Sequence, residues 1–258
     1  MADDAGLLHS LPGWAFAAML LLSRIGSACM LLPGVGEAEL PMTMRLGFVL
    51  GFTALVLPVL GPAMPAPPEA LAEFAAMLVA EIVTGLWLGW LARLVLLALP
   101  MAGQVIAIAT GMTNVLQPDA MLGAGASAMS RLLGLTAPVL VLASGLHALP
   151  LAALVGSYDL IPAGHFLPAG DTADVYVRAV SQAFALALRL AAPFLVAGLL
   201  FQVAVGLAAR LVPQMQIYFA AMPGQIVGGL LMLGLVSAAV SGRWLDAARD
   251  AFAALPGT

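Results

Sequence analysis

Apolar stretches long enough to cross a bilayer recur along the whole chain, and polar positions are confined to short interruptions between them. A transmembrane helix needs roughly 20 apolar residues. Residues 11–32 form one such stretch, interrupted by Arg24, and a shorter one covers 46–60. The long stretch 70–99 contains Glu81 and Arg93. Residues 101–116 begin apolar but turn polar at Thr110, Thr113 and Asn114, and Gln117 and Pro118 follow. The stretch 132–156 is limited by Pro138 and Pro150, 179–212 holds Arg189 and Pro193, and 217–241 is clean apart from Pro223 and Gln225. The pattern predicts six or seven helices. No segment of about ten residues alternates as an outer-membrane strand would. The expected fold class is therefore all-α, with membrane-type helical hairpins. It is read as one domain over 1–258, with its core at about 11–241 between short polar tails.

The interruptions carry their own information. Gly61-Pro62-Ala63-Met64-Pro65-Ala66-Pro67-Pro68 reads as a loop on composition alone, and so does the polar segment Ser157 to Asp174. Pro213-Gln214-Met215-Gln216 is a tight connection between two apolar helices and predicts the tip of a helical hairpin. Three features do not suit an ordinary membrane bundle. The 34 residues of 179–212 would make roughly 50 Å of helix against a hydrocarbon core of about 30 Å. Arg45, Arg131 and Arg210 balance Arg178, Arg243 and Arg249 across alternate loops, so the positive-inside rule gives no orientation. Four charges, Arg24, Glu81, Arg93 and Arg189, stand inside apolar spans, each costing about 2.5–3.5 kcal/mol if it faces lipid. Three cations and one anion cannot all pair with one another, which points to subunit contacts as the source of missing partners.

Composition sharpens this picture. The chain is 63% hydrophobic and 9% charged, against roughly 45–50% and about 25% in soluble domains, so a water-soluble or disordered chain is excluded. Its mean hydropathy is +1.08. All nine basic residues are arginine and the net charge is -4, which leaves no basic face for nucleic acid. Cys29 is the only cysteine, so neither a disulfide framework nor a cysteine zinc site is available. No cation precedes the first apolar stretch, which is therefore read as a retained anchor.

Catalytic patterns are scarce. His9, His147 and His165 are dispersed. Gly125-Ala-Ser127-Ala-Met129 lacks the last glycine of a nucleophile elbow, and Asp159 and Asp171 lie in a polar segment instead of facing each other within spans. No phosphate-cradling loop exists, and nothing calls for a cofactor or a metal. Gly85 and Gly89 make a G-x-x-x-G step, and Gly224, Gly228 and Gly229 offer a second small-residue face; both predict close helix approach.

Several stretches together resemble the FliR family of the flagellar and type III secretion export gate. They are Arg24-Ile-Gly26 followed by Pro33, Pro41 and Arg45; Glu81-Ile-Val-Thr-Gly85-Leu-Trp-Leu-Gly89; and Gly103-Gln104 with Gly111 and Asp119. Gly145-Leu-His147, Ser157-Tyr158 and Leu160-Ile-Pro162-Ala-Gly164 follow, then Gly206-Leu-Ala-Ala-Arg210 running into Pro213-Gln214-Met215-Gln216. The resemblance implies a non-enzymatic subunit of a multisubunit helical gate, located in the bacterial inner membrane at the flagellar basal body. FliP and FliQ are its implied partners, with FlhB and FlhA as neighbours, and unfolded secreted proteins as cargo. It also implies that Gly111 to Asp119 is the gate loop. There Gly111 turns the backbone, Met112, Val115 and Leu116 supply an apolar seal, and Asn114 and Gln117 hold it by hydrogen bonds. The alternative from residues alone is a polytopic transporter of small molecules or ions.

Overall fold

The computed structural model describes residues 2–113, 127–211 and 217–257, with side chains from residue 11 onward except at 169, 171 and 218. The elements are α1 (Ala2–Cys29), α2 (Met42–Leu60), a 3-10 turn (Gly61–Ala63), α3 (Leu71–Ala109), α4 (Ala128–Ala143), α5 (Ala148–Leu160), α6 (Ala169–Leu211) and α7 (Ile217–Ala253). Among the described residues there is no strand. Five helices among the described residues are long and apolar enough to cross a membrane alone, and six spans result if α4 and α5 make one broken span.

The differences from the sequence pattern have local causes. Two predicted spans, 70–99 and 101–116, are one 39-residue helix, α3, running through Pro100. A proline inside a helix removes one backbone hydrogen bond. The carbonyl this frees is that of Leu96, four residues back; at Pro100 itself α4 packs alongside, with Ser130 Oγ donating to the Pro100 carbonyl at 2.8 Å. The predicted span 132–156 is broken instead, at Gly145 with φ +75°, and not at Pro138 or Pro150. Pro150 falls in the first turn of α5, where the missing N–H has no helical acceptor to lose. The polar segment 157–174 shrinks to a loop at 161–168, because both flanking helices invade it.

Helix α7 continues well past the apolar stretch that predicts it. Arg243, Asp246, Arg249 and Asp250 hide an amphipathic register in which Trp244, Ala248 and Phe252 are fully buried. This i, i+4, i+8 spacing marks one face of a helix.

The chain sorts into two compact units, each made of discontinuous stretches. One comprises residues 1–93, 141–178 and 250–258; the other comprises 94–140 and 179–249. Because the stretches interleave and share one composition, no boundary shows along the sequence. In the first unit α1 crosses α3 at the G-x-x-x-G step. A Cβ on Gly85 would strike the Arg24 carbonyl and the Ser27 hydroxyl, and one on Gly89 would lie 2.6 Å from the Ala28 carbonyl. In the second unit the Trp244 indole donates to the Val95 carbonyl at 3.0 Å. The α7 glycines are not equivalent: Gly229 is pressed against Thr110, whereas Gly224 and Gly228 face open space.

Candidate functional site

Arg24 and Glu81, both fully buried, form a two-pronged ion pair. Arg24 Nε donates to Glu81 Oε2 at 2.8 Å and Nη2 to Oε1 at 2.9 Å. The rest of the guanidinium is also used. Nη1 donates to Ser157 Oγ at 3.1 Å, Nη2 to the Ile161 carbonyl at 3.1 Å, and the Tyr158 ring lies 3.9 Å from Cζ. Glu81 Oε1 accepts a further bond from the Gly164 N–H at 2.7 Å. Gly164 has φ +81° and sits on Met77, a place for glycine alone. The network ties α1, α3, α5 and the 161–168 loop together. Removing two charges from water is repaid only when geometry is good and the remaining donors are satisfied; here the pair is two-pronged and four of the five guanidinium N–H groups have acceptors.

Arg93 is served in the same unit. Its Nη2 lies 3.2 Å from Glu37 Oε2, and Nη1 donates to the Leu31 carbonyl at 3.3 Å and reaches that of Gly36 at 3.5 Å. Arg45 donates to the Glu37 carbonyl. The turn between α1 and α2 is thereby stapled to α3. Glu37 lies outside every apolar span, so a tally of charges within spans overlooks it. The expectation that Arg24, Glu81 and Arg93 take their partners from other subunits is thus corrected: each finds one on its own chain. Arg189 differs. It is exposed on α6, a helix that also exposes Phe184, Leu188 and Val196, and among the described residues it makes no hydrogen bond or ion pair.

The second set of candidates surrounds the end of α3. Gly111, at φ +72°, closes the helix with a Schellman turn. The Met112 N–H reaches the Ala107 carbonyl at 2.9 Å, and the Gly111 N–H reaches that of Ile108 at 3.3 Å. From α7, Gln225 Nε2 donates to the Ala109 carbonyl at 3.0 Å, and its amide lies beneath Gly111. From α6, Gly198 admits the Ala109 carbonyl; a Cβ there would come within 2.5 Å. A cavity of about 200 Å³, lined by Thr110, Phe194, Phe201, Gly228 and Met232, opens beside this turn.

The start of α4 is held from α3. The Ser127 N–H donates to Gln104 Oε1 at 3.0 Å, and Ser127 Oγ accepts from the Ser130 N–H at 3.1 Å, an N-cap. Gly103 admits the Met129 and Ser130 backbone, its absent Cβ being 2.8 Å from the Met129 carbonyl. Ser127, one glycine short of an elbow motif, is therefore a helix cap. Of the gate-loop residues, Gly111 and the buried Met112 are described. Asn114, Val115, Leu116, Gln117 and Asp119 lie outside the described residues, and so do Pro213, Gln214, Met215 and Gln216 of the hairpin tip.

Residues 15–251 match the family described as bacterial export proteins, family 1. The chain belongs to that family. It is 31% identical to the flagellar biosynthetic protein FliR of Caulobacter vibrioides, over 91% of this chain and 94% of that protein. It is 28% identical to FliR of Aquifex aeolicus over 84% of each chain. The Yop proteins translocation protein T of Yersinia pestis is 29% identical over 79% of each. This bacterial export protein is thus a component of a flagellar or type III export apparatus, with helices of the membrane-spanning kind. Four stretches that carry its resemblance to FliR meet in one place. Arg24, the Glu81–Gly89 step, Ser157-Tyr158 and Pro162–Gly164 are the Arg24 network and the crossing beside it. A fifth, Gly103-Gln104, holds the start of α4. Sequence reasoning missed Glu37 and the polar contacts of Gln225 and Ser130. Only for Arg24 was a signal present: Glu81, Gly85 and Gly89 fall at i, i+4 and i+8 on one face of α3.

Proposed function

We propose that this export protein is a subunit of the flagellar export gate in the bacterial inner membrane at the basal body. It assembles there with FliP and FliQ subunits, beside FlhB and FlhA, to pass unfolded flagellar proteins. The observation that carries this reading is the outer face of α6. The helix has 43 residues, roughly 64 Å, and stays apolar and exposed from Val177 to Leu211, far beyond a hydrocarbon core of about 30 Å. Arg189 stands midway along that face. Lipid alone cannot cover such a face, and a carboxylate on a neighbouring subunit's helix would answer the arginine. A transporter would need polar groups free at mid-membrane, and Arg24 and Glu81 are already committed to each other.

Within the assembly, Gly111 to Asp119 faces the constriction and Pro213 to Gln216 is an interior hairpin tip. Purification in mild detergent tests the assembly: stable co-purification with two other small membrane proteins is expected, and a solitary monomer or homodimer would favour the transporter. Deleting Thr113 to Gln117 should let small ions leak through a complex that still assembles. Unchanged conductance would remove this segment from the gate. A cysteine at Met215 should crosslink to a gate subunit or a secreted chain, and labelling by water-soluble reagents alone would make it a solvated turn.

A further inference from the structure

A helix end leaves carbonyls without partners, and a helix start leaves N–H groups without them. The last turn of α3 and the first turn of α4 solve this problem with two glutamines of opposite chemistry. The Schellman turn satisfies the carbonyls of Ala107 and Ile108, and Thr110 N–H satisfies that of Ile106 at 2.9 Å. The carbonyl of Ala109 is left over, and Gln225 supplies its donor. At the other end Ser127 precedes α4, so its N–H has no helical acceptor, and Gln104 supplies one.

Packing alone does not hold the last turn of α3. It rests on Gly198 and Gly229, and a cavity of about 200 Å³ bordered by those same glycines interrupts the packing around it. The turn has room to move, and a directional bond from Gln225 opposes that movement. Gln225 is itself buried, at 8% exposure, and borders the same cavity.

We propose that Gln225 and Gln104 are positioning residues: Gln225, as a donor, fixes the last turn of α3, and Gln104, as an acceptor, fixes the first turn of α4. The proposal rests on the gate reading only for its consequence for ion conductance. The glutamines act through hydrogen bonds, so size alone cannot replace them. Methionine matches glutamine in length and removes the bond at either position. Glutamate restores the acceptor at 104, in either protonation state.

Amide hydrogen exchange on the full chain, purified with its accompanying subunits, reads the anchors directly. Gln225→Met should speed exchange at Gly111 and Met112 about fivefold, the effect of one net hydrogen bond. Gln104→Met should do the same at Ser127, and Gln104→Glu should return Ser127 to the wild-type rate. The Gly164 amide, bonded to Glu81, should be unchanged in all three and reports that the fold is intact. Wild-type exchange at the affected turns in both methionine variants, or equal loss at Ser127 in Gln104→Met and Gln104→Glu, would overturn the proposal. Ion conductance of the same complexes tests the gate reading separately. Faster exchange with no leak would leave the anchors standing and remove the gate assignment.

Discussion

Arg24 and Arg189 both stand within long apolar helices, and the chain treats them in opposite ways. Arg24 is enclosed, with a carboxylate, a hydroxyl, a carbonyl and an aromatic face arranged around it. Arg189 is exposed on an apolar surface with no partner among the described residues. The first arginine is an internal fastener and the second an unmet demand. A mid-span charge is therefore not one kind of signal, and what decides its meaning is whether a second helix of the same chain can come close enough to answer it. Gly85 and Gly89 allow that approach at Arg24. At Arg189 the side chain is exposed, and no second helix answers it among the described residues.

The comparison can be broken most severely at Glu81. Glu81→Ala strands a buried guanidinium and should cost about 3–5 kcal/mol, read as a lower unfolding temperature in detergent. Replacing both members, Arg24→Met with Glu81→Leu, should recover most of that loss. A double variant no better than Glu81→Ala would mean that the charges are needed for more than mutual compensation. Gly85→Ala comes next. Its methyl group meets the Arg24 carbonyl and forces α1 away, at about 1–3 kcal/mol by the usual cost of overpacking. Unchanged stability would show that the crossing is loose.

Glu37→Gln should cost at most about 1 kcal/mol, because the Arg93 pair is half-buried and shares its donors with two carbonyls. Smallest of all should be the effect of Arg189→Leu on the isolated chain, within about 0.5 kcal/mol either way as for a surface change. Arg189→Glu should leave the isolated chain folded yet lower the yield of co-purified complex severalfold, whereas Arg189→Lys should retain it. Full yield from Arg189→Glu would erase the contrast with Arg24.

Much of this architecture was legible in the sequence, and the failures share a cause. Span counting placed an apolar stretch on every helix because apolar length is a local property, but it read α4 and α5 as one span. It split α3 at Pro100 because proline usually stops a helix, and it could not see that this helix runs on through it with α4 packed alongside. It ended α7 early because Arg243 and Asp246 lower the average while Trp244, Ala248 and Phe252 keep a buried face. Among the candidate charges, sequence identified Arg24 as needing a partner and placed that partner on the wrong chain. Pairings between helices are not local, and Glu81 lies 57 residues away. Gln225 read as a blemish in an apolar helix, since nothing along the chain reveals that it meets the orphan carbonyl of Ala109.

The enclosure of Arg24 also sets a timetable for biosynthesis. Its carboxylate lies 57 residues further along the chain and its carbonyl acceptor 137 residues further. At roughly 5–20 residues per second, a ribosome delivers Glu81 about 3–11 s after Arg24, and Ile161 about 7–27 s after. During that interval the first hydrophobic segment carries a cation with no answer. Settling across the bilayer in that interval carries the insertion cost of an unpaired arginine, about 2.5–3.5 kcal/mol, which is relieved once α3, and then α5, have been made.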